Sequence, residues 1–185
     1  MDRITEASGV SRASGSPAAS APVVRRVSPG EWAAYRQVRL AALADSPQAF
    51  SSTLERELAF DEQVWRQRLA SAASFLAWQD DQAVGTVTVL LYDESDGHGF
   101  TGAAHLVAMW VSPAARRLGA GQLLVEAVFD HARAAGAPSV ALWVFEENGG
   151  ARAFYERMGF RETDLRDSRP GKPEDVELMM IRYLS

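Results

Sequence analysis

Two adjacent arginines and two glycines lie between a strand-like and a helix-like segment in VSPAARRLGAGQLLVEAVFDHA, residues 111–132. Pro113 ends the strand, and an apolar helical period begins after Gly121. A helix amino terminus presents unpaired backbone N–H groups, and glycine lets a ligand lie close to them. Arg116 and Arg117 add two cationic side chains that suit phosphate. The stretch therefore predicts a site for a phosphate or a pyrophosphate.

Two nucleotide-binding motifs are excluded by the residues that follow Gly121. A nucleotide-hydrolysing P-loop continues with Lys and then Ser or Thr, whereas Gln122 and Leu123 stand here. A dinucleotide fingerprint has a third small residue three positions later, where this chain has Leu124. The pattern that remains is Arg-x-x-Gly-x-Gly at residues 116–121, at the start of an amphipathic helix.

A second motif lies downstream in NGGARAFYERMGF, residues 148–160. In their order and register, the two motifs resemble the acetyl-CoA pyrophosphate loop and the second signature of the GNAT superfamily of N-acetyltransferases. The resemblance extends from Pro22 to Ser185 and is strongest between Ala104 and Phe160. The residues that match the second signature are Asn148, Ala151, Phe154, Tyr155, Gly159 and Phe160.

The resemblance implies a GNAT fold of class α/β (α+β) and acetyl-CoA as co-substrate. No metal is predicted, because no pair of His, Asp or Glu at positions i and i+4 of one helix suggests a metal site. In that fold a mixed, mostly antiparallel sheet of about six to seven strands is flanked by about four helices, and a splayed strand pair binds CoA. Backbone groups near Met109, Trp110 and Val111 would then bond the pantetheine arm as an added strand does. The other expected cofactor-binding residues are Arg116, Arg117, Leu118, Gly119, Ala120 and Gly121 at the pyrophosphate, and Asn148, Ala151 and Phe154 beside the arm.

The implied reaction is direct attack by a primary amine, of a small molecule or of a protein, on the thioester of acetyl-CoA. The motif makes Tyr155 the acid for the departing thiolate, because a phenol of pKa about 10 can protonate the anion of a thiol of pKa about 8.5. His105 is the candidate base, since histone acetyltransferases of this superfamily have a glutamate at the matching strand position, six residues before Val111. The alternative for His105 is a hydrogen-bonded core residue.

The acceptor in this superfamily usually lies under the loop between the first two helices and near the loop before the last strand. Here those loops are DSPQAFSSTLERE, residues 45–57, and RDSRPGKPED, residues 166–175. Phe50, Ser51 and Glu55 of the first loop provide an aromatic wall and a carboxylate that could hold an amine. A plain surface loop is the alternative interpretation.

The elements that must position these residues follow from hydrophobic period and turn residues. A strand at PVVRRVSP precedes a helix from Ser28 to Pro47, a second helix at DEQVWRQRLAS, and a hairpin at SFLAWQDDQAVGTVTVLLYDE that turns at QDDQ. After them come a strand at AAHLVAMWV, a helix from near Gly119 to Gly136, and a strand at SVALWVF. A helix at GGARAFYERM, a short strand at FRETD and a strand at VELMMIRYL complete the chain. This order predicts a mixed α/β architecture with antiparallel and parallel pairing.

The composition suits one globular domain, because 185 residues with 47% apolar content can fill a single core. Residues 1–21, rich in Ala, Ser and Gly, predict a flexible tail, and residues 22–185 the acetyltransferase domain. A net charge of −5 argues against non-specific binding of nucleic acid. The lack of cysteine excludes disulfides, thiolate zinc sites and a cysteine nucleophile.

The apolar runs are far shorter than the roughly 20 residues of a membrane span, and the amino terminus lacks the apolar core of a secretory signal. We therefore expect a cytoplasmic protein without a membrane partner, and a homodimer is one option. His98 and His131 are expected to be structural or solvated. Two functional alternatives are a GNAT domain that senses acyl-CoA without turnover and a transferase that uses another donor, such as succinyl-CoA.

Overall fold

The computed structural model describes residues 20–91, 102–169 and 172–185, which form seven strands and five α-helices. The strands are β1 (Val23–Arg26), β2 (Ala73–Gln79), β3 (Gln82–Leu91), β4 (Ala104–Val111), β5 (Ser139–Phe145), β6 (Arg161–Arg169) and β7 (Lys172–Tyr183). The helices are α1 (Trp32–Asp45), α2 (Leu54–Leu58), α3 (Glu62–Ser71), α4 (Ala120–Ala134) and α5 (Gly149–Arg157). In this described part, no helix has the length and apolarity to cross a bilayer.

The predicted tail lies outside the described residues as far as position 19, and so does His98. Ser20, the first described residue, is already bonded to the β2–β3 turn, since Gln79 Nε2 donates to its carbonyl at 2.8 Å. All the elements of the fold lie within residues 22–185, the predicted domain.

The strands form one sheet in the order β1-β2-β3-β4-β5-β7-β6, in which only β4 and β5 pair in parallel. The predicted fold class, a mixed and mostly antiparallel sheet flanked by helices, is confirmed. β4 and β5 pair at two positions only, Ala104 with Val140 and His105 with Ala141. Both strands continue beyond these pairs, so their backbones part along the rest of their length.

Different helices cover the two faces of the sheet. On β3, Val87 packs in the core cluster that contains Leu124 of α4 and Tyr155 of α5. The next residue, Thr88, points to the opposite face, where its hydroxyl lies 3.5 Å from that of Tyr35 in α1. The alternation of side chains along one strand thus separates an α4–α5 layer from a layer that contains α1.

A glycine on β3 allows the end of β4 to lie close to this strand and to α4. A Cβ at Gly85 would lie 2.9 Å from the carbonyl oxygen of Trp110 and 3.1 Å from Cδ1 of Leu124. The first distance is too short for a real Cβ contact, so any larger residue would push β4 away. Gly85 therefore sets where β4 ends, directly before the predicted phosphate site.

Two expectations for secondary structure were incomplete. The loop predicted at residues 45–57 contains the start of α2, which Thr53 caps by accepting a hydrogen bond from the backbone of Arg56 at 3.3 Å. The segment predicted as a loop before the last strand belongs mostly to β6 and β7, which are longer than the apolar pattern indicated. The added length of β6 begins with the exposed Leu165 and continues with exposed polar residues at positions 166–168, so it gives no hydrophobic period to read.

A buried ion pair fastens α2 to α1. Arg39 donates to both carboxylate oxygens of Glu57, at 3.0 and 2.8 Å, and Arg68 of α3 lies 3.2 Å away on the other side. Burial raises the pKa of Glu57, but the hydrogen bonds and positive charge of Arg39 outweigh it, so the pKa lies below its usual value. The Arg39 guanidinium also stacks on the ring of Phe50, 4.6 Å from its centre. The ion pair therefore positions the α1–α2 loop as well as α2.

We expect Glu57→Gln to lower the free energy of unfolding by about 3 kcal/mol at pH 7, because it leaves the buried Arg39 charge without its partner. Since the folded pKa of Glu57 is lowered, its stabilising effect is complete above the unfolded pKa of about 4.3 and is lost as pH falls below it. Urea denaturation at several pH values measures this. The control is Glu62→Gln, which removes an exposed pair and should change stability by less than about 1 kcal/mol. Equal losses in the two variants would contradict the assignment.

Candidate active site

A cavity of about 130 Å³ lies where β4 and β5 part. Leu106 to Met109 of β4 line one side, and Trp143 to Phe145 of β5 line the other. Because neither strand is paired with the other at this level, backbone groups on both inner edges face the gap. A flexible chain inserted there would meet hydrogen-bonding groups on two sides, as an added strand does. The remaining lining residues are Ala49, Phe50, Asn148, Ala151, Tyr155 and Glu177.

A β-bulge on β4 lies beside this cavity. Thr88 of β3 pairs with Val107, whereas Thr86 pairs with Trp110, so β4 has one extra residue between the two pairs. Within this interval Ala108 has a φ of +54°, in the left-handed region that alanine seldom adopts. A bulge bends its strand and re-aims the local backbone. Here the bulge bends β4 at the level where β4 and β5 separate. An alanine in the sequence gives no indication of such a bulge.

The predicted phosphate site has the backbone geometry of an anion cradle. Arg117 and Gly119 have φ values of +66° and +91°, and α4 follows directly at Ala120. The first hydrogen bond of this helix runs from the N–H of Leu123 to the carbonyl of Gly119, at 3.1 Å. The N–H groups of residues 120–122 therefore have no acceptor within the helix, and no side chain caps them. This end of α4 fits a phosphate group.

Arg116 is tied to the protein scaffold. Its Nε donates to the carbonyl of Val111 at 3.0 Å, and its Nη2 donates to Asp45 Oδ2 at 2.8 Å. The indole of Trp110 donates to the same oxygen at 2.9 Å. Hydrogen bonds from Trp110 and Ser46, together with the charge of Arg116, hold the pKa of Asp45 below its usual value. Arg116 therefore links the end of α1 to the end of β4.

The neighbouring Arg117 is exposed and forms no ion pair with any described residue. Of the two arginines predicted to grip a pyrophosphate, Arg117 is thus the one whose charge is not already used. Leu118 is also exposed beside it, at the outer side of the cradle. Both arginines therefore lie at the predicted phosphate site, but their surroundings differ.

The second motif forms the wall of the cavity on the α5 side. Asn148 caps α5, since its Oδ1 accepts from the N–H of Ala151 at 3.1 Å. A Cβ at Gly121 would lie 3.4 Å from Cζ of Phe154, so α4 and α5 are in close contact at that point. Gly159, with a φ of +83°, ends the helix. The spacing of the second motif therefore corresponds to one capped helix that packs on α4.

Tyr155 brings a phenol to the cavity from α5. Only 7% of the residue is exposed, and its ring meets Phe154 and Phe160 edge-on at 5.2 and 5.6 Å. Burial raises the pKa of Tyr155 well above its usual value. The hydroxyl consequently stays protonated throughout the neutral range and is a proton donor within the cavity.

His105 does not line the cavity. It is buried on β4 at the last position that pairs with β5, opposite Ala141. The histidine therefore sits at the closed end of the gap, and its role as a base stays a prediction. Met109 lines the cavity, whereas the Trp110 side chain points to Asp45 and the Val111 carbonyl accepts from Arg116.

The predicted acceptor loop reaches the cavity in part. Phe50 lines it, but Ser51 and Glu55 are exposed and lie outside the lining. An adjoining cavity of about 420 Å³ shares Ala49, Phe145 and Asn148 with the first. Its other lining residues are Ser46, Gln48, Glu147, Glu174, Asp175 and Val176.

The sequence analysis missed Glu177 and Trp143 as lining residues. Glu177 is in phase with Met179 and Ile181, which are buried on β7. A carboxylate on the buried phase of a strand is unusual, and this period-two pattern could have marked it. Trp143 is 37% exposed within an otherwise buried strand, which only the parting of β4 and β5 explains.

Comparisons with known proteins agree with this architecture. The family model described as the acetyltransferase (GNAT) family matches residues 38–160. The chain belongs to this family. The mycothiol acetyltransferase of Streptomyces avermitilis is 32% identical over 145 residues, which are 77% of this chain and 44% of that protein. The chain therefore spans less than half the length of this curated relative.

Solved structures share the fold. An acetyltransferase of the GNAT family from Streptococcus pneumoniae superimposes with a TM-score of 0.73 at 17% identity, covering 89% of this chain and 99% of that one. The PaiA N-acetyltransferase from Thermoplasma acidophilum, solved in complex with coenzyme A, gives a TM-score of 0.66 at 14% identity. This superposition covers 88% of the present chain and 99% of the PaiA chain. At these identities the likeness concerns the fold alone.

The different surroundings of the two arginines predict different effects of their removal. Arg117→Ala should weaken CoA binding about tenfold, with a steeper loss at low salt, and leave stability unchanged. Arg116→Ala should lower the free energy of unfolding by about 1 kcal/mol, because Asp45 and the Val111 carbonyl lose their donor. Calorimetric titration with CoA and urea denaturation give the two quantities. The assignment is wrong if Arg117→Ala binds CoA as tightly as the wild type.

Proposed function

We propose that this chain transfers an acetyl group from acetyl-CoA to a primary amine. The observation that carries the proposal is the buried phenol of Tyr155 in the cavity between the parted strands, next to an anion cradle at the start of α4. Family membership supports an acetyltransferase, and the CoA complex of the PaiA enzyme supports the choice of donor.

The described residues fit a CoA thioester. The cradle N–H groups and Arg117 would hold the pyrophosphate, and the inner edges of β4 and β5 would hold the pantetheine arm. Asn148 uses its Oδ1 for the helix cap, which leaves its amide NH₂ as the group that would bond the arm. The thioester, when bound, supplies an activated acetyl group and a thiolate leaving group.

Tyr155 would protonate the leaving thiolate. Its raised pKa keeps the phenol protonated at the moment when the sulfur becomes charged. The apolar surroundings also strengthen the attraction between a forming thiolate and a hydroxyl donor, because little water competes with it. His105 stays a prediction as the base, and it lies outside the cavity lining.

The charge of the adjoining cavity favours an amine as acceptor. Glu147, Glu174 and Asp175 line it, and the described residues of the lining include no Lys or Arg. At neutral pH a primary amine is an ammonium ion of pKa about 10.4, which such a lining attracts. The amine can belong to a small molecule or to a protein.

The test is release of free thiol from acetyl-CoA in the presence of a panel of amines that includes small diamines, amino sugars and lysine peptides. Tyr155→Phe should lower kcat by about a hundredfold or more while CoA affinity is retained. Tyr35→Phe is the matched control, because Tyr35 is an equally buried tyrosine that is not among the lining residues of either cavity, and its activity should stay close to wild type.

Three outcomes would overturn parts of the proposal. CoA binding without turnover of any amine would indicate a sensor domain. Faster thiol release from succinyl-CoA than from acetyl-CoA would reassign the donor. Equal activity in Tyr155→Phe and the wild type would remove the tyrosine from the reaction.

A further inference from the structure

Among the described residues that line the cavity at the parted strands, two have side chains that can titrate: Tyr155 of α5 and Glu177 of β7. The others are apolar or are the amide of Asn148. The reaction proposed above gives one proton to the sulfur and removes two from the ammonium. Tyr155 accounts for the proton on the sulfur, and the first proton of the ammonium needs another group.

Strand register places these two groups on opposite faces of the sheet. Val144 of β5 packs in the cluster that contains Tyr155, so the next residue, Phe145, points to the other face. Glu177 is the cross-strand partner of Phe145 and shares its face. Phe50 reaches the cavity from the loop after α1, the helix that covers this second face. The gap between the strands thus has the phenol on one side and the carboxylate on the other.

We propose that Glu177 binds the ammonium group of the acceptor and removes its first proton. Trp143 lines the same cavity and offers an aromatic ring that attracts a cation. The adjoining cavity, with its carboxylates Glu174 and Asp175, gives the acceptor a path to this point. This inference rests on the proposed amine acetylation and adds the residue that receives the acceptor.

The protons and electrons balance as follows. Glu177 takes one proton from the ammonium, which frees the nitrogen lone pair to form the N–C bond. The C–S bond breaks, the sulfur keeps the electron pair, and the Tyr155 hydroxyl gives it a proton. The nitrogen loses its second proton through water to the tyrosine oxygen, and Glu177 releases its proton to solvent. One amide, one thiol and one solvent proton result.

The charged groups around Glu177 come from several elements. Asp167 of β6 is its partner in the sheet, and Asp175 precedes it by two residues on the same face of β7. From α5 only Tyr155 lines the cavity, and the α1–α2 loop contributes Ala49 and Phe50, which carry no charge. Arg39 of α1 stacks on Phe50, but its charge is paired with the buried Glu57. The carboxylates of Asp167 and Asp175 favour a cation next to Glu177.

The pH dependence separates a base from a merely structural carboxylate. An ordinary carboxyl ionises near pH 4.3 and an alkyl ammonium near pH 10.4, so both partners are charged between about pH 6 and 9. With Glu177 as base, kcat/KM for the amine is flat in this range. Without it, only the neutral amine in solution reacts, and kcat/KM rises about tenfold per pH unit until the amine's own pKa.

The experiment compares the wild type, Glu177→Gln and Glu177→Asp at saturating acetyl-CoA, with an amine that the wild type consumes. Glu177→Gln should lose about a hundredfold in kcat/KM at pH 7 and recover with unit slope toward pH 10. Glu177→Asp keeps the carboxylate, so a lower but flat profile is expected. Glu146→Gln is the control: it lies one residue beyond the partner of Glu177, lines neither cavity, and should match the wild type. CoA affinity should be the same in all four proteins.

A flat profile in Glu177→Gln, or activity equal to the wild type, overturns the role of Glu177 and leaves the proposed function intact. Failure of the proposed function would give a different result, because the wild type would then bind CoA and acetylate no amine. Loss of fold in Glu177→Gln would appear as lost CoA binding. In that case the profile of Glu177→Asp decides, since a unit slope there contradicts the proposal.

Discussion

The parting of β4 from β5 is the constraint on which the rest of this structure depends. Two parallel strands that pair at only two positions leave backbone groups on both inner edges without a partner. Buried backbone groups must be bonded, so such a gap is stable only where water or a ligand can enter. β5 is held by β7 on its other edge, and β4 bends at the bulge around Ala108. The gap is therefore built into the pairing of the sheet.

Because the gap passes through the sheet, it connects two environments that the sheet otherwise separates. On the α4–α5 side the surroundings are apolar and aromatic, which keeps the phenol of Tyr155 neutral. On the side of α1 the lining includes Glu177, and the adjoining cavity is acidic. A transfer reaction needs a proton donor and a proton acceptor close to the same bond but in different surroundings. The sheet keeps these two surroundings apart within one cavity.

Local signals predicted most of the fold. Asp80 and Asp81 at the predicted hairpin turn both have positive φ, as that turn requires, and the strands at SVALWVF and AAHLVAMWV were located within a residue. The registered motifs identified the cradle and α5, because their spacing reflects one helix start and one capped helix. Contacts between distant residues gave no such signal. Asp45 and Arg116 are separated by 71 positions, and the cavity face of Glu177 depends on its pairing with Phe145.

Asp45 has a consequence for the way in which the chain can be altered. It is the last residue of α1, and the segment that borders both cavities begins directly after it. Its carboxylate, however, accepts hydrogen bonds from Trp110 and Arg116, which lie at and after the end of β4. Anyone who exchanges the acceptor loop for that of another family member would therefore cut after Asp45 and not before it. Such a chimaera keeps the hydrogen bonds from Asp45 to Trp110 and Arg116 while the loop is exchanged.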